Sequence, residues 1–177
     1  MSGFYSEALT SKHDRRAFSC GVDVLDDYLR VRATQDVRRL CAAAFVLVPD
    51  GEPYLIAGFY TLSAFSVALD TVPDSIAQKL ARYPVVPSIL IGRLARSVSF
   101  PGLGAVLLMD AITRCVRQSD EIGASLIVVD AKDERAQGFY EKHGFIALRG
   151  VSKRLVISMA TAAAAVGSRE VAKARKN

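Results

Sequence analysis

Residues 88–116 read Ser-Ile-Leu-Ile-Gly-Arg-Leu-Ala-Arg-Ser-Val-Ser-Phe-Pro-Gly-Leu-Gly-Ala-Val-Leu-Leu-Met-Asp-Ala-Ile-Thr-Arg-Cys-Val, and two hydrophobic periods meet inside them. Ser88 to Ala95 is an apolar run of strand length. Beyond Leu103, the positions Val106, Leu107, Ala111, Ile112, Cys115 and Val116 recur at helical spacing and predict a helix over 103–118. Between the two lies Phe100-Pro101-Gly102-Leu103-Gly104. The first turn of a helix carries unpaired amides and the positive end of the dipole. Glycines there let a phosphate approach the backbone, so Gly102 to Val106 reads as an anion site at a strand end. An ordinary strand-to-helix connection with glycines for turning explains the same residues. No Gly-x-x-x-x-Gly-Lys-Ser/Thr and no Gly-x-Gly-x-x-Gly occurs, so neither a nucleotide P-loop nor a dinucleotide fingerprint supports the site.

Downstream, Ser125 to Val129 is a second buried strand, and a helix over about 134–143 ends at Gly144. Phe145–Leu148 and Lys153–Met159 read as two more strands. Upstream, Ala44–Val48 and Leu55–Leu69 flank the turn signal Pro49-Asp50-Gly51 and read as a hairpin. Ser75–Leu80 is a short helix, and Tyr83–Pro87 is extended because proline and its predecessor avoid helix. Val22, Leu25, Tyr28, Leu29, Ala33, Val37 and Leu40 mark a helix over 22–40, with acidic residues first and Arg38 and Arg39 last, as the dipole prefers. The element order is helix, two strands, extended link, strand, helix, strand, helix, two strands. That is an α/β (α+β) chain with a central mixed sheet flanked by helices. Residues 1–160 form one domain, and residues 161–177 an alanine-rich, basic tail, frayed from Lys173 on.

The chain of 177 residues is 51% hydrophobic, enough for a buried core. Its net charge of +5 favours a polyanionic partner. Cys20, Cys41 and Cys115 are odd in number and lack metal-ligand spacing, and His13 and His143 stand apart from them. These features point to free thiols, a reducing cytoplasmic setting and no metal. No signal peptide and no membrane span is legible.

The second constellation is Val129-Asp130-Ala131, then Asp133, Ala136 and Phe139-Tyr140-Glu141-Lys142-His143-Gly144-Phe145. Phe139 and Phe145 read as core aromatics. Tyr140 is either a third one or, near the carboxyl ends of the strands, a general acid. His143 suits a helix end, and Cys115 suits a core face. Taken together, Gly102-x-Gly104 opening one helix and Ala-x-x-Phe-Tyr-x-x-x-Gly-Phe some 35 residues later resemble the GNAT family of N-acetyltransferases. That resemblance implies acetyl-CoA as co-substrate. It places Leu94, Ala95, Arg96, Gly102, Leu103, Gly104, Ala105, Val106, Asp133, Ala136 and Phe139 at the coenzyme, and Tyr140 as the proton donor to the departing thiolate.

A finer resemblance runs from residue 12 to residue 160: His13-Asp14, Phe18-Ser19-Cys20-Gly21, Leu25-Asp26-Asp27-Tyr28-Leu29, Gln35-Asp36, Ile56 to Ala64, Pro84-x-x-Pro87, Ile91 to Ala95, Leu107-Leu108-x-Asp110-Ala111 and Val129-Asp130-Ala131. It is similar to the acetyltransferase toxins of bacterial toxin–antitoxin pairs. Those enzymes acetylate the α-amino group of aminoacyl-tRNA, block translation and are neutralised by a ribbon-helix-helix antitoxin. The resemblance implies the same substrate and partner here and allows a homodimer. The clustered basic residues, among them Arg93, Arg30, Arg38 and Arg39, read either as a solvated face or as a patch for tRNA phosphates. Ser99 stands where the family usually has Gln or Arg, and Asp133 where many relatives have Asn. Two other readings fit the same fold: an acetyltransferase of a small or protein amine, and a binding module that has lost acetyl transfer.

Overall fold

The computed structural model describes residues 3–174. Seven strands form one sheet: β1 (Phe4–Ala8), β2 (Ala43–Pro49), β3 (Gly58–Ala68), β4 (Val85–Arg96), β5 (Leu126–Asp130), β6 (Ile146–Ala147) and β7 (Arg154–Ser158). Their order is β1-β2-β3-β4-β5-β7-β6. β1, β2 and β3 pair antiparallel in sequence. β4 and β5 run parallel, with Ser88 opposite Leu126 and Ile91 opposite Val129, as a strand–helix–strand crossover demands. β7 returns antiparallel to β5 and carries the short β6 on its outer side. The expected mixed sheet is thus present.

The helices are α1 (Asp23–Asp27), α2 (Ala33–Arg38), α3 (Asp74–Ala77), α4 (Gly104–Ile122), α5 (Glu134–Lys142) and α6 (Met159–Ala174). A π-helical turn, Tyr28–Arg32, joins α1 to α2, so the helix expected over 22–40 is present with one widened turn in its middle. α4 runs four residues past the expected 118. Two elements lie outside the expected order. β1 precedes the first helix, and α6 continues from β7, with Ser158 Oγ accepting from the Thr161 amide at 3.1 Å. The stretch expected as a tail is therefore helical from its start to Ala174, while Arg175 to Asn177 lie outside the described residues.

The chain divides into two compact units: one of residues up to Ser63 with Gly92–Ala111, the other of Ala64–Ile91 with the residues from Ile112 on. The first unit is built on Phe18, Tyr28, Leu29, Val46, Ile56 and Phe59, with Leu25 and Val37 packed against them. Leu25, Tyr28, Leu29, Ala33 and Val37 of the apolar stripe read from the sequence thus face this core, whereas Leu40, past the end of α2 with φ of +58°, is 93% exposed. Phe18 meets Phe59 edge-on at 5.4 Å, and Tyr28 stacks on Phe59 at 6.4 Å. Buried Asp26 ties the preceding loop to α1 by accepting from the Cys20 amide at 2.8 Å and Ser19 Oγ at 3.0 Å. Two features fix α4 in this unit. Asp110 accepts from Ser6 Oγ of β1 at 2.9 Å and from Tyr60 Oη of β3 at 2.5 Å. Gly58 lets Leu107 in so closely that a Cβ there would stand 3.1 Å from Leu107 Cδ2 and 3.2 Å from the Ala95 carbonyl. The second unit has its own core of Val67, Val72, Ile76, Val86, Leu126, Val128, Leu148 and Val156.

Candidate active site

In the first unit, β4 delivers the chain to the glycine turn. Gly102 has φ of +83°, a region that costs an L-residue about 1–2 kcal/mol, and nothing lies within 4 Å of where its Cβ would be. The first main-chain bond of α4 runs from the Leu107 amide to the Leu103 carbonyl at 2.9 Å. The amides of Gly104, Ala105 and Val106 lie ahead of it, outside the helical ladder, at the positive end of a 19-residue helix. Pro101, Gly102 and Val106 are exposed. This turn fits an anionic pyrophosphate through backbone donors. The lead-in is a folded turn, with the Ser99 amide on Ser97 Oγ at 3.2 Å and the Phe100 amide on the Ser97 carbonyl at 3.1 Å. Phe100 also meets Phe4 of β1 edge-on at 5.9 Å. Buried Ser97 and Phe4 were not singled out from the sequence, because neither bears reactive chemistry.

Of the strand residues expected at the coenzyme, Leu94 is half-buried and Ala95 points its methyl into the core, leaving its backbone to act. Arg96 turns its guanidinium back onto the Ser97 carbonyl at 3.1 Å. Arg93 differs. Its amide donates to Thr61 Oγ1 at 3.1 Å, and its guanidinium lies 3.6 Å over the Tyr28 ring. Tyr28 Oη donates to Asp36 Oδ2 at 2.9 Å, and burial, then this carboxylate, push the phenol up to about 12. A cleft of about 240 Å³ opens here between Val24, Asp27, Tyr28, Arg32 and Arg93. Arg30 instead faces Asp27 at 3.6 Å and Asp26 at 4.0 Å, and donates to the Phe18 carbonyl at 3.2 Å. Arg38 and Arg39 are exposed at the end of α2, with no ion pair among the described residues.

In the second unit, Asp133 caps α5 by accepting from the Ala136 amide at 2.8 Å. That amide, against a small opposing effect of desolvation and with help from Lys132, holds its carboxyl below the usual range. Its side chain is committed to the cap, a role an Asn fills equally. Tyr140, 7% exposed, sits between Phe139 at 5.4 Å and Phe145 at 5.7 Å. Burial, then the charge of Asp130, push its phenol up to about 12, so it is a neutral proton donor at physiological pH. No described residue accepts from its hydroxyl, and no buried polar side-chain atom is without a partner, so this oxygen keeps access to solvent. Asp130 itself is held by a two-pronged bond from Arg154 at 2.6 and 2.9 Å. His143 Nδ1–H donates to the Phe139 carbonyl at 2.7 Å, the helix-end role read from the sequence. Cys115 is fully buried, and burial pushes its thiol up to about 12.

Among the described residues no group of three His, Cys, Asp or Glu side chains could hold a metal ion. No described helix is long and apolar enough to cross a membrane.

No protein-family model matches the chain. It is 36% identical over 170 residues to the tRNA-acetylating toxin of Mycobacterium tuberculosis (strain ATCC 25618 / H37Rv), covering 94% of this chain and 99% of that protein. Among solved structures, AtaT complexed with acetyl-methionyl-tRNAfMet matches with a TM-score of 0.83 and 27% identity, over 90% of this chain and 96% of the other. A tyrosine-to-phenylalanine mutant of AtaT bound to the C-terminus of the antitoxin AtaR and acetyl-CoA matches with a TM-score of 0.75 and 25% identity, over 90% and 95% of the two chains. With more than a third of its residues shared along nearly the whole length of one such protein, the chain belongs to the tRNA-acetylating toxins.

Proposed function

We propose that this protein transfers the acetyl group of acetyl-CoA to the α-amino group of an aminoacyl-tRNA in the cytoplasm, arresting translation. The observation that carries the chemistry is Tyr140: a buried, protonated phenol whose oxygen remains reachable. The amides of Gly104, Ala105 and Val106 hold the pyrophosphate of acetyl-CoA, which supplies the activated acetyl group. The family resemblance assigns the pantetheine to the backbone of Leu94, Ala95 and Arg96, and further coenzyme contacts to Leu103, Asp133, Ala136 and Phe139. An aminoacyl ester amine is less basic than a Lys side chain, whose ordinary pKa is about 10.4, so a useful fraction is already neutral. No strong base is then needed. Positioning supplies much of the rate, and Tyr140 protonates the leaving thiolate. Arg93, Arg30, Arg38 and Arg39 contact the tRNA, and the charge they bring to its backbone makes binding weaken as salt rises.

The reading extends to a small ribbon-helix-helix antitoxin and to a homodimer, both drawn from the family resemblance. It is supported by the relatives whose names specify tRNA acetylation, acetyl-CoA and an antitoxin. In vitro translation with acetyl-CoA, followed by mass analysis of the charged tRNAs, tests it. The expected result is arrested synthesis and an acetylated aminoacyl ester. Unmodified tRNA with synthesis unimpaired overturns it.

A further inference from the structure

We propose that the cleft beside Arg93 seats the terminal adenine of the acceptor end, stacked on the outer face of the Arg93 guanidinium; this rests on the tRNA reading above and adds a base contact to it. The inner face of that guanidinium already lies 3.6 Å over Tyr28. Tyr28 is a rigid platform, because it is buried, stacked on Phe59 at 6.4 Å and tied through its hydroxyl to Asp36 at 2.9 Å. The Arg93 backbone is anchored in turn by Thr61. The guanidinium is therefore a fixed plane, half-exposed, at the wall of a cleft of about 240 Å³, which has room for a nucleobase.

Two charges in the cleft narrow the ligand class. Neither Arg93 nor Arg32 has a carboxylate partner among the described residues, although both line the cleft with Asp27. Asp27 is engaged by Arg30 instead, at 3.6 Å. A pair of unneutralised guanidiniums suits a phosphodiester, and a planar one suits a base face. The Asp27 carboxylate accepts only, and with Oδ1 turned to Arg30 its other oxygen suits an exocyclic amine, which adenine, cytosine and guanine carry and uracil lacks; the last base of the acceptor end is adenine. The base and its phosphate thus share one cleft, with Arg93 under the base and Arg32 at the phosphate.

Arg93→Lys keeps the charge and removes the stacking plane. Stacked bases contribute enough that KM for aminoacyl-tRNA rises roughly tenfold or more. The salt slope of tRNA binding, KM for acetyl-CoA and the melting temperature stay as in the parent protein. Arg32→Ala keeps the plane and lowers the salt slope by about one. A charged tRNA whose terminal adenine is replaced by an abasic residue is expected to show a KM roughly tenfold higher than normal tRNA with the parent protein and no further rise with Arg93→Lys. Equal KM for normal and abasic tRNA with the parent protein, or an Arg93→Lys variant with unchanged KM for tRNA, overturns the proposal alone. A rise in KM for acetyl-CoA with that for tRNA unchanged assigns the cleft to the adenine of the coenzyme and likewise overturns it. Failure of the parent protein to bind or acetylate any charged tRNA overturns the functional reading, and this proposal with it.

Discussion

The proposed reaction concentrates its acid chemistry in one oxygen, that of Tyr140. Tyr140→Phe removes that oxygen and nothing else, so turnover should drop on the order of 10²-fold or more while calorimetry shows acetyl-CoA affinity unchanged. Near-normal turnover would remove the acid role. A phenol pushed up to about 12 stays protonated across the working range, so the pH–rate profile should show no falling limb from this group below about pH 11. The same shift has a sign for stability. Tyr28 and Tyr140 both ionise less readily folded than unfolded, so the folded chain holds their protons longer. Their stabilisation is fully present below about pH 10 and is lost as pH climbs toward 12. Thermal melts should show the decline beginning there and a shallower one in Tyr140→Phe. Thiol titration offers a third check at this scale. Exposed Cys41 should react with a disulfide reagent at once, half-buried Cys20 slowly, and Cys115 only on unfolding. The roles of His143 and Cys115 were legible in the sequence because spacing alone placed one at a helix end and the other on a core face. The platform role of Tyr28 was not, since its partners Asp36 and Arg93 are 8 and 65 residues away in the chain and a stripe of apolar positions reports only which face is buried.

The strand, glycine turn and helix of residues 88–116 form one working element, and its boundaries were readable because the hydrophobic period changes there from short run to helical repeat. Gly102→Ala forces an L-residue to φ of +83° with no steric clash, so its cost is backbone strain of about 1–2 kcal/mol. Because that strain falls on the turn proposed to hold the pyrophosphate, KM for acetyl-CoA should rise with kcat little changed; unchanged KM would detach the turn from the coenzyme. The opposite test is Gly58→Ala, where the new methyl meets Leu107 and the Ala95 carbonyl. Overpacking of this kind costs about 1–3 kcal/mol, visible as a lower denaturation midpoint. Two elements escaped the sequence. β1 is a five-residue edge strand, half-exposed and interrupted by Ser6 and Glu7, so its alternation is too short to register. The π turn at Tyr28–Arg32 leaves the apolar pattern on both sides unbroken, and one widened turn shifts the phase too little to read.

Across the whole molecule, the order of central elements could be derived, while the bonds that brace them could not. Asp110 illustrates the difference: its partners Ser6 and Tyr60 lie 104 and 50 residues away, and nothing in local spacing announces them. Tyr60 is fully buried and its bond to the half-buried Asp110 carboxylate partly so; Tyr60→Phe deletes that bond and should lower stability by about 1.5–3 kcal/mol, measured by denaturant unfolding. The brace also ties β1 to the middle of the sequence. Phe4 leans on Phe100 just ahead of the glycine turn, and Ser6 holds Asp110 two turns into α4. Phe4 and Ser6 are therefore mechanically part of the turn proposed to hold the coenzyme. A disturbance of β1, such as a fusion partner crowding that strand, should be felt in acetyl-CoA kinetics if the proposed site is right.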